Sequence, residues 1–162
     1  MTGEKKLPDG TKPAPRLTLC NISAMKKAAR RLSLLYDTIL TPAGLKCTQY
    51  GILSELHSRG ATLATVNELA EALAMDRSTL GQNLRPLERD GLVKLLTDPK
   101  DRRSRLIALT KQGVAKFNEA ARYWRIGQDR FETAFGQEKA AELRSALVAI
   151  AYNEKLTKPG KA

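Results

Sequence analysis

Histidine is almost absent from this chain: His57 is the only one in 162 residues. That removes histidine-built zinc sites and Ser-His-Asp catalysis, which need an imidazole set beside other ligands or a nucleophile. Only two cysteines occur, Cys20 and Cys47, too few for a disulfide scaffold and suited to a reducing compartment. No GxGxxG or Walker-type glycine loop is present, so no cofactor is expected. No nucleophile–base pair stands out, and an enzyme is not expected. No apolar run reaches the roughly 18 residues that a bilayer crossing needs. The opening segment MTGEKKLPDGTKPAPR has no apolar core of a secretory signal. A cytoplasmic, nucleoid-associated chain without a membrane partner is therefore expected.

Acidic residues are also in deficit, 17 against 28 Lys and Arg, for a net charge of +11. That balance favours polyanionic partners, either nucleic acid or an anionic membrane face. Residues 1–17 are rich in Lys, Pro and Gly. They read as a flexible basic arm, either solubilising or contacting phosphate, and residues 156–162 read as a flexible tail.

Between these ends the apolar spacing is helical. Ile22, Met25, Ala29, Leu32, Tyr36 and Ile39 alternate three and four apart, which predicts a helix from Asn21 to Leu40, ended by Pro42 and Gly44. Tyr50, Leu53 and Leu56 predict a second from about Cys47 to Arg59. Thr65 and Glu68 form a capping box ahead of Val66, Leu69, Ala70 and Leu73. After a break at 74–76, Asp76 caps a helix from Arg77 to about Asp90, ended by Gly91. Two short helices with so tight a break form a helix-turn-helix candidate. The segments 92–97 and 105–110 read as two strands, and a hairpin directly after a helix-turn-helix is a wing. Thr110 caps a long helix whose stripe runs Val114, Phe117, Ala121, Trp124, Gln128, Phe131 and Phe135. Gly136 separates it from a last one carrying Ala140, Leu143, Leu147 and Ile150.

The fold class is thus mainly α with a small β-wing: a winged helix-turn-helix at 46–110, flanked by dimerisation helices at 18–45 and 111–155. The flanking stripes exceed what the middle lobe can cover, so a second copy is expected to bury them.

On the helix 77–90, Leu80, Leu84 and Leu87 form one side. Ser78, Gln82, Arg85 and Arg89 lie opposite, with Thr79, Asn83 and Pro86 flanking and Gly81 at the edge. A solvated helix face ordinarily mixes in carboxylates; this one is rich in donors, as a major-groove reader needs. Pro86 predicts a slight bend. In the loop DPKDRRSR, Lys100, Arg102, Arg103 and Arg105 lie within six residues. An arginine at a hairpin tip suits a narrow minor groove. Asp101 is expected to hold the Arg103 guanidinium by a bidentate pair.

The block DRSTLGQNLRPLERDGLV followed by DPKDRRSRLIALT resembles the winged helix-turn-helix of the MarR family of transcriptional regulators, and the resemblance runs from about 20 to 150. It implies a homodimer on a pseudo-palindromic double-stranded DNA operator. Ser78, Thr79, Gln82 and Arg85 then match groove and backbone contacts, Arg103 the wing arginine and Asp101 its anchoring acid. It further implies a repressor released by a small, often aromatic, effector. That effector's pocket maps to Met25, Ala28, Arg31, Leu32 and Tyr36, to Tyr50, Leu53 and His57, and to Asn118 and Trp124. Ordinary packing is the competing reading for each. Two alternatives stay open: a redox-sensing regulator using Cys20, whose fourth residue onward is Ala24 rather than the tyrosine of the peroxide sensors, and an architectural DNA binder without an effector. The sequence departs from the family at Lys46, where a capping Thr is usual; a start shifted to Thr48 is expected for the second helix.

Overall fold

A computed structural model describes residues 20–157. The arm at 1–17 and residues 158–162 lie outside them. The chain divides into two compact units, Met1–Leu35 and Tyr36–Ala162, parting ten residues ahead of the boundary drawn from the sequence at 45/46.

The first unit contributes the helical residues of α1 (Asn21–Leu40) up to Leu35. Its Lys and Arg residues are exposed, as are Ile22 and Leu34, while Ser23, Met25 and Leu32 are half-buried.

The second unit begins with the last turn of α1. A single 3-10 turn at Thr41–Ala43 follows, and Gly44 at φ 69° reverses the chain. The left-handed region costs an L-residue side-chain clash that glycine escapes. α2 (Cys47–Ser58) then starts at Cys47, so the expected shift to Thr48 does not occur. The acceptors that Lys46 cannot supply come from elsewhere. Gln49 Oε1 accepts from the Lys46 N–H at 2.9 Å, and Asp37 Oδ1, ten residues upstream, accepts from the Cys47 N–H at 2.7 Å. Lys46 Nζ sits 3.7 Å from the same Asp37 carboxylate, which offsets its charge at the helix N-terminus.

β1 (Ala64–Thr65), a strand absent from the sequence reading, leads into α3 (Val66–Ala72). The Thr65–Glu68 capping box forms in both directions. α3 and α4 (Arg77–Arg89) are joined through Ala74, which holds φ 49° without being glycine. β2 (Val93–Thr97) and β3 (Arg105–Leu109) pair antiparallel, Val93 opposite Leu109 and Thr97 opposite Arg105. β1 adds to the other side of β3, giving a sheet in the order β1-β3-β2. α5 (Lys111–Phe135), α6 (Gln137–Ala151) and α7 (Glu154–Thr157) complete the chain. The tail expected from residue 156 is therefore still helical at 156–157.

The core forms where α2, α3, α4 and the sheet converge. Ile52, Leu53, Leu69, Leu80, Leu87, Val93 and Ile107 are among the large side chains shut off from solvent, with Leu84 nearly so. Each such side chain stabilises the fold by about 1.5–3 kcal/mol. α4 thereby commits its Leu80–Leu84–Leu87 side inward and presents the opposite side to solvent. Pro86 is accommodated inside an unbroken α4; its missing N–H leaves only the Gln82 carbonyl without its helical partner.

One junction ties the lobe to α5. Thr110 caps α5 through Gly113 N–H (2.9 Å), while its hydroxyl donates to Gly91 O (2.7 Å). Thr110 N–H donates to Leu92 O at 3.1 Å. Gly113 packs so tightly here that a Cβ would stand 2.0 Å from Leu92 O and 2.7 Å from Leu109 Cδ1.

Gly113→Ala is expected to destabilise the protein by roughly 3 kcal/mol, the upper end for overpacking. Gly81→Ala, whose Cβ meets nothing within 4 Å, is expected to stabilise by about 0.5–1 kcal/mol. Urea unfolding of both variants against wild type reads the contrast; equal effects of one sign would contradict the packing described.

Candidate nucleic-acid interface

Asp76 fixes the start of α4. Its carboxylate accepts from Thr79 N–H at 2.8 Å and from Thr79 Oγ1 at 2.6 Å. Those two bonds, side chain first and backbone second, hold its carboxyl below the ordinary range. Thr79 thus donates inward and offers only acceptor capacity outward. Asn83 Nδ2 donates to Thr79 O at 2.9 Å, so its amide is turned back on the helix. Ser78, Gln82 and Arg85 are exposed. Arg89 is held at the helix end by Asp90, with contacts of 2.8 Å and 3.3 Å, and each raises or lowers the other's pKa in the sense of an ion pair. The free donor strip therefore narrows to Ser78, Gln82 and Arg85, with Thr79, Asn83 and Arg89 already engaged.

At the wing, Asp101 does not brace the Arg103 guanidinium as expected. Asp101 Oδ1 accepts from the Arg103 backbone N–H at 3.0 Å. Asp98 Oδ1 does the same for Lys100 N–H at 2.8 Å. A carboxylate two residues ahead of an N–H is set up for this Asx turn, and the Asp101 oxygen is engaged there rather than in an ion pair with the guanidinium. Ser104 N–H to Asp101 O (2.8 Å) and Asp98 N–H to Ser104 O (3.2 Å) close the loop. Lys100, Arg102 and Arg103 are exposed on a tip shaped by two aspartates. Arg105 lies at the tip's base and donates across the hairpin to Thr97 Oγ1 at 2.9 Å.

A second feature lies away from this surface. A cleft of about 650 Å³ opens between the end of α1, α2 and α5. Tyr36, Tyr50, Asn118 and Trp124 are brought together on its wall. Leu53 is not: it is fully buried in the core. His57 is exposed and stacks on Phe117, centroids 4.3 Å apart, rather than lining the cleft. Met25, Ala28, Arg31 and Leu32 lie on α1 in the first unit. Phe117 and Arg125 line the cleft and were missed from the sequence: Phe117 read as part of the packing stripe of α5, and Arg125, beside Trp124, carried no signal of its own. Tyr50 stacks between Phe117 (5.6 Å) and Trp124 (6.0 Å). Burial raises the Tyr50 phenol pKa, partly opposed by Arg125. Burial, reinforced by Glu132, raises that of Tyr36, whose hydroxyl donates to Gln128 Oε1. Both phenols therefore stay neutral donors near neutral pH. Gly51 also faces the cleft, and a Cβ there would meet nothing within 4 Å.

Cys20 is exposed and Cys47 half-buried on the cleft wall; neither forms a disulfide. Among the described residues no cluster of His, Cys, Asp and Glu has metal-site form, and no helix is long and apolar enough to cross a membrane.

A family model described as the MarR family matches residues 43–104. The transcriptional regulator PecS of Dickeya dadantii is 27% identical over 127 residues, spanning 78% of this chain and 76% of PecS. The M. tuberculosis transcriptional regulator MosR, solved in complex with DNA, is 32% identical with a TM-score of 0.67 over 80% of this chain and 97% of that one. The transcriptional repressor CouR, solved on a 23-mer DNA duplex, is 26% identical with a TM-score of 0.71, over 85% of this chain and 99% of its own.

The Asp76 cap makes α4 sensitive to acid in a defined direction. The folded carboxyl is lowered, so the unfolded chain takes up its proton first; the cap's contribution is present above about pH 4 and is lost as pH falls through the lowered value. Asp76→Asn keeps an acceptor but does not titrate. Melting curves between pH 5 and 3 should show a shallower loss of stability for D76N than for wild type; parallel curves would exclude a titrating cap.

Proposed function

Since this chain belongs to the MarR family of transcriptional regulators, we propose that it is a homodimeric, sequence-specific DNA-binding repressor released by a small aromatic effector. The observation that carries the reading is the divided labour of α4: three leucines hold it in the core while Ser78, Gln82 and Arg85 face outward without a carboxylate among them. Gln and Arg pair with base edges, and Ser suits phosphate. The exposed wing arginines Arg102 and Arg103 supply a cationic probe for a narrow minor groove. Two of the similar proteins, MosR and CouR, were solved on DNA, and CouR is described as a repressor.

Pairing of two copies is supported by apolar side chains left exposed on α5 and α6, among them Ile126, Leu147, Val148 and Ile150. Covering such surface is what a two-fold interface does. Recognition helices set one DNA turn apart, about 34 Å, would then read a pseudo-palindromic site. Effector binding is supported by the cleft, whose stacked rings suit an aromatic ligand and whose Arg125 and neutral phenols suit its carboxylate or hydroxyl. A ligand seated there acts by favouring a mis-spaced dimer, and only to the extent that it binds that state more tightly.

Selection from random duplexes followed by footprinting tests the reading. A preferred operator is expected, and protection without sequence preference would leave only an architectural binder. On that operator, Gln82→Ala should change base preference by about 1–3 kcal/mol at one position per half-site. Arg103→Ala should weaken binding most where A·T-rich flanks narrow the minor groove. A uniform loss across sequences would make Gln82 a positioning contact.

The cleft has its own test. Gly51→Leu fills it from a position with room for a side chain. This variant should abolish the thermal shift given by aromatic carboxylates while leaving operator affinity within about twofold, a change of under ~0.5 kcal/mol. Retained ligand response would move the effector site elsewhere.

A further inference from the structure

Between the wing and the helix-turn-helix lies a small pocket of about 200 Å³, distinct from the aromatic cleft. Its wall includes Asn67 from α3, Arg77 from the first position of α4, and Asp101, Arg103 and Arg105 from the wing. Three arginines therefore line one space together with a single carboxylate-bearing residue. That carboxylate is occupied: it accepts from the Arg103 N–H and forms no ion pair with any of the three. Among the described residues Arg77 and Arg103 have no ion-pair partner, and Arg105 is bonded only to the neutral Thr97 hydroxyl. Like charges gathered without compensation repel one another, and an anion in their midst reverses the sign of that interaction.

The pocket's size restricts the anion. Pockets that enclose small molecules run to roughly 300–1,000 Å³, so this one suits a compact group rather than a whole cofactor. Guanidiniums bind phosphate oxygens in pairs through their fixed forks, and the Asn67 amide adds a neutral donor. The α4 N-terminus itself is already answered by Asp76, so the side chains must do the holding.

We propose that this pocket is a seat for one DNA phosphodiester, with Arg77 as its anchor. The inference rests on the DNA-binding reading above and adds a residue which that reading does not use. A strand passing from the groove read by Gln82 to the groove probed by Arg103 crosses between α4 and the wing, where the pocket opens. A phosphate held there by both elements fixes the wing's register against the recognition helix. It carries no base information.

The test compares wild type, Arg77→Gln and Arg77→Lys on the selected operator. Arg77 is exposed and without an ion-pair partner, so thermal melts should show all three proteins folded alike. R77Q should reduce the slope of log K against log salt by about 0.9 per protomer, with base preference unchanged; R77K should keep the slope while losing the forked contact and some affinity. Replacing phosphates one at a time by neutral methylphosphonates should reveal one position per half-site that weakens wild type several-fold and leaves R77Q unaffected. Equal slopes, or methylphosphonate profiles identical in wild type and R77Q, overturn the seat while leaving DNA binding intact. A flat profile combined with Arg77-dependent binding of inorganic phosphate would assign the pocket to a free anion and overturn the proposal. Failure of wild type to bind any duplex removes the DNA-binding reading, and the seat with it.

Discussion

The carbonyl of Leu92 is the point on which the geometry of the lobe depends. It accepts from Thr110 N–H, and Gly113 comes so close to it that no side chain fits between. Leu92 follows directly on the turn that ends α4, and Thr110 directly follows β3. One small junction thus joins the recognition helix, both wing strands and the first turn of α5. A hydrogen bond of this kind adds only about 1 kcal/mol net. Its importance is geometric: with the buried leucines of α4, it fixes the wing relative to the helix. Without it, Ser78, Gln82 and Arg85 would have no set relation to Arg103.

The same rigidity explains how two chemically distinct surfaces divide the molecule. α4 and the wing present charge and hydrogen-bond donors, mostly exposed. The cleft between the last turn of α1, α2 and α5 presents stacked rings and neutral phenols. α5 serves both, since it starts at the Leu92 junction and carries Phe117, Asn118, Trp124 and Arg125 along the cleft. A shift of α5 driven from the cleft would therefore reach the junction through one continuous helix rather than through a chain of loose contacts.

Much of this was legible in the sequence because it rests on periodicity. The apolar spacing of α1 and the Leu80–Leu84–Leu87 side of α4 were each set by residues three and four apart. The wing was placed instead by two short aliphatic runs bracketing a charged loop. What escaped was non-local or too short to have a period. β1 is two residues long and exists because β3 has an edge to pair with. α2 begins at Cys47 because Asp37, remote in sequence, supplies the acceptor that Lys46 lacks. Asp101 was assigned to the wrong group of the right residue, since local geometry favours the Arg103 N–H over its guanidinium. A void has no sequence pattern at all: Leu53 looked like a cleft residue and proved to be core, and Phe117 the reverse.

The cleft owes part of its volume to Gly51, a position on α2 that brings no side chain to a wall carrying Tyr36, Tyr50, Phe117 and Trp124. An unfilled position of this kind separates two properties that are usually coupled. Substitution there reshapes the chamber without disturbing the leucine core or the charged surface that faces away. On the reading proposed above, the choice of ligand and the choice of operator can therefore change independently of each other.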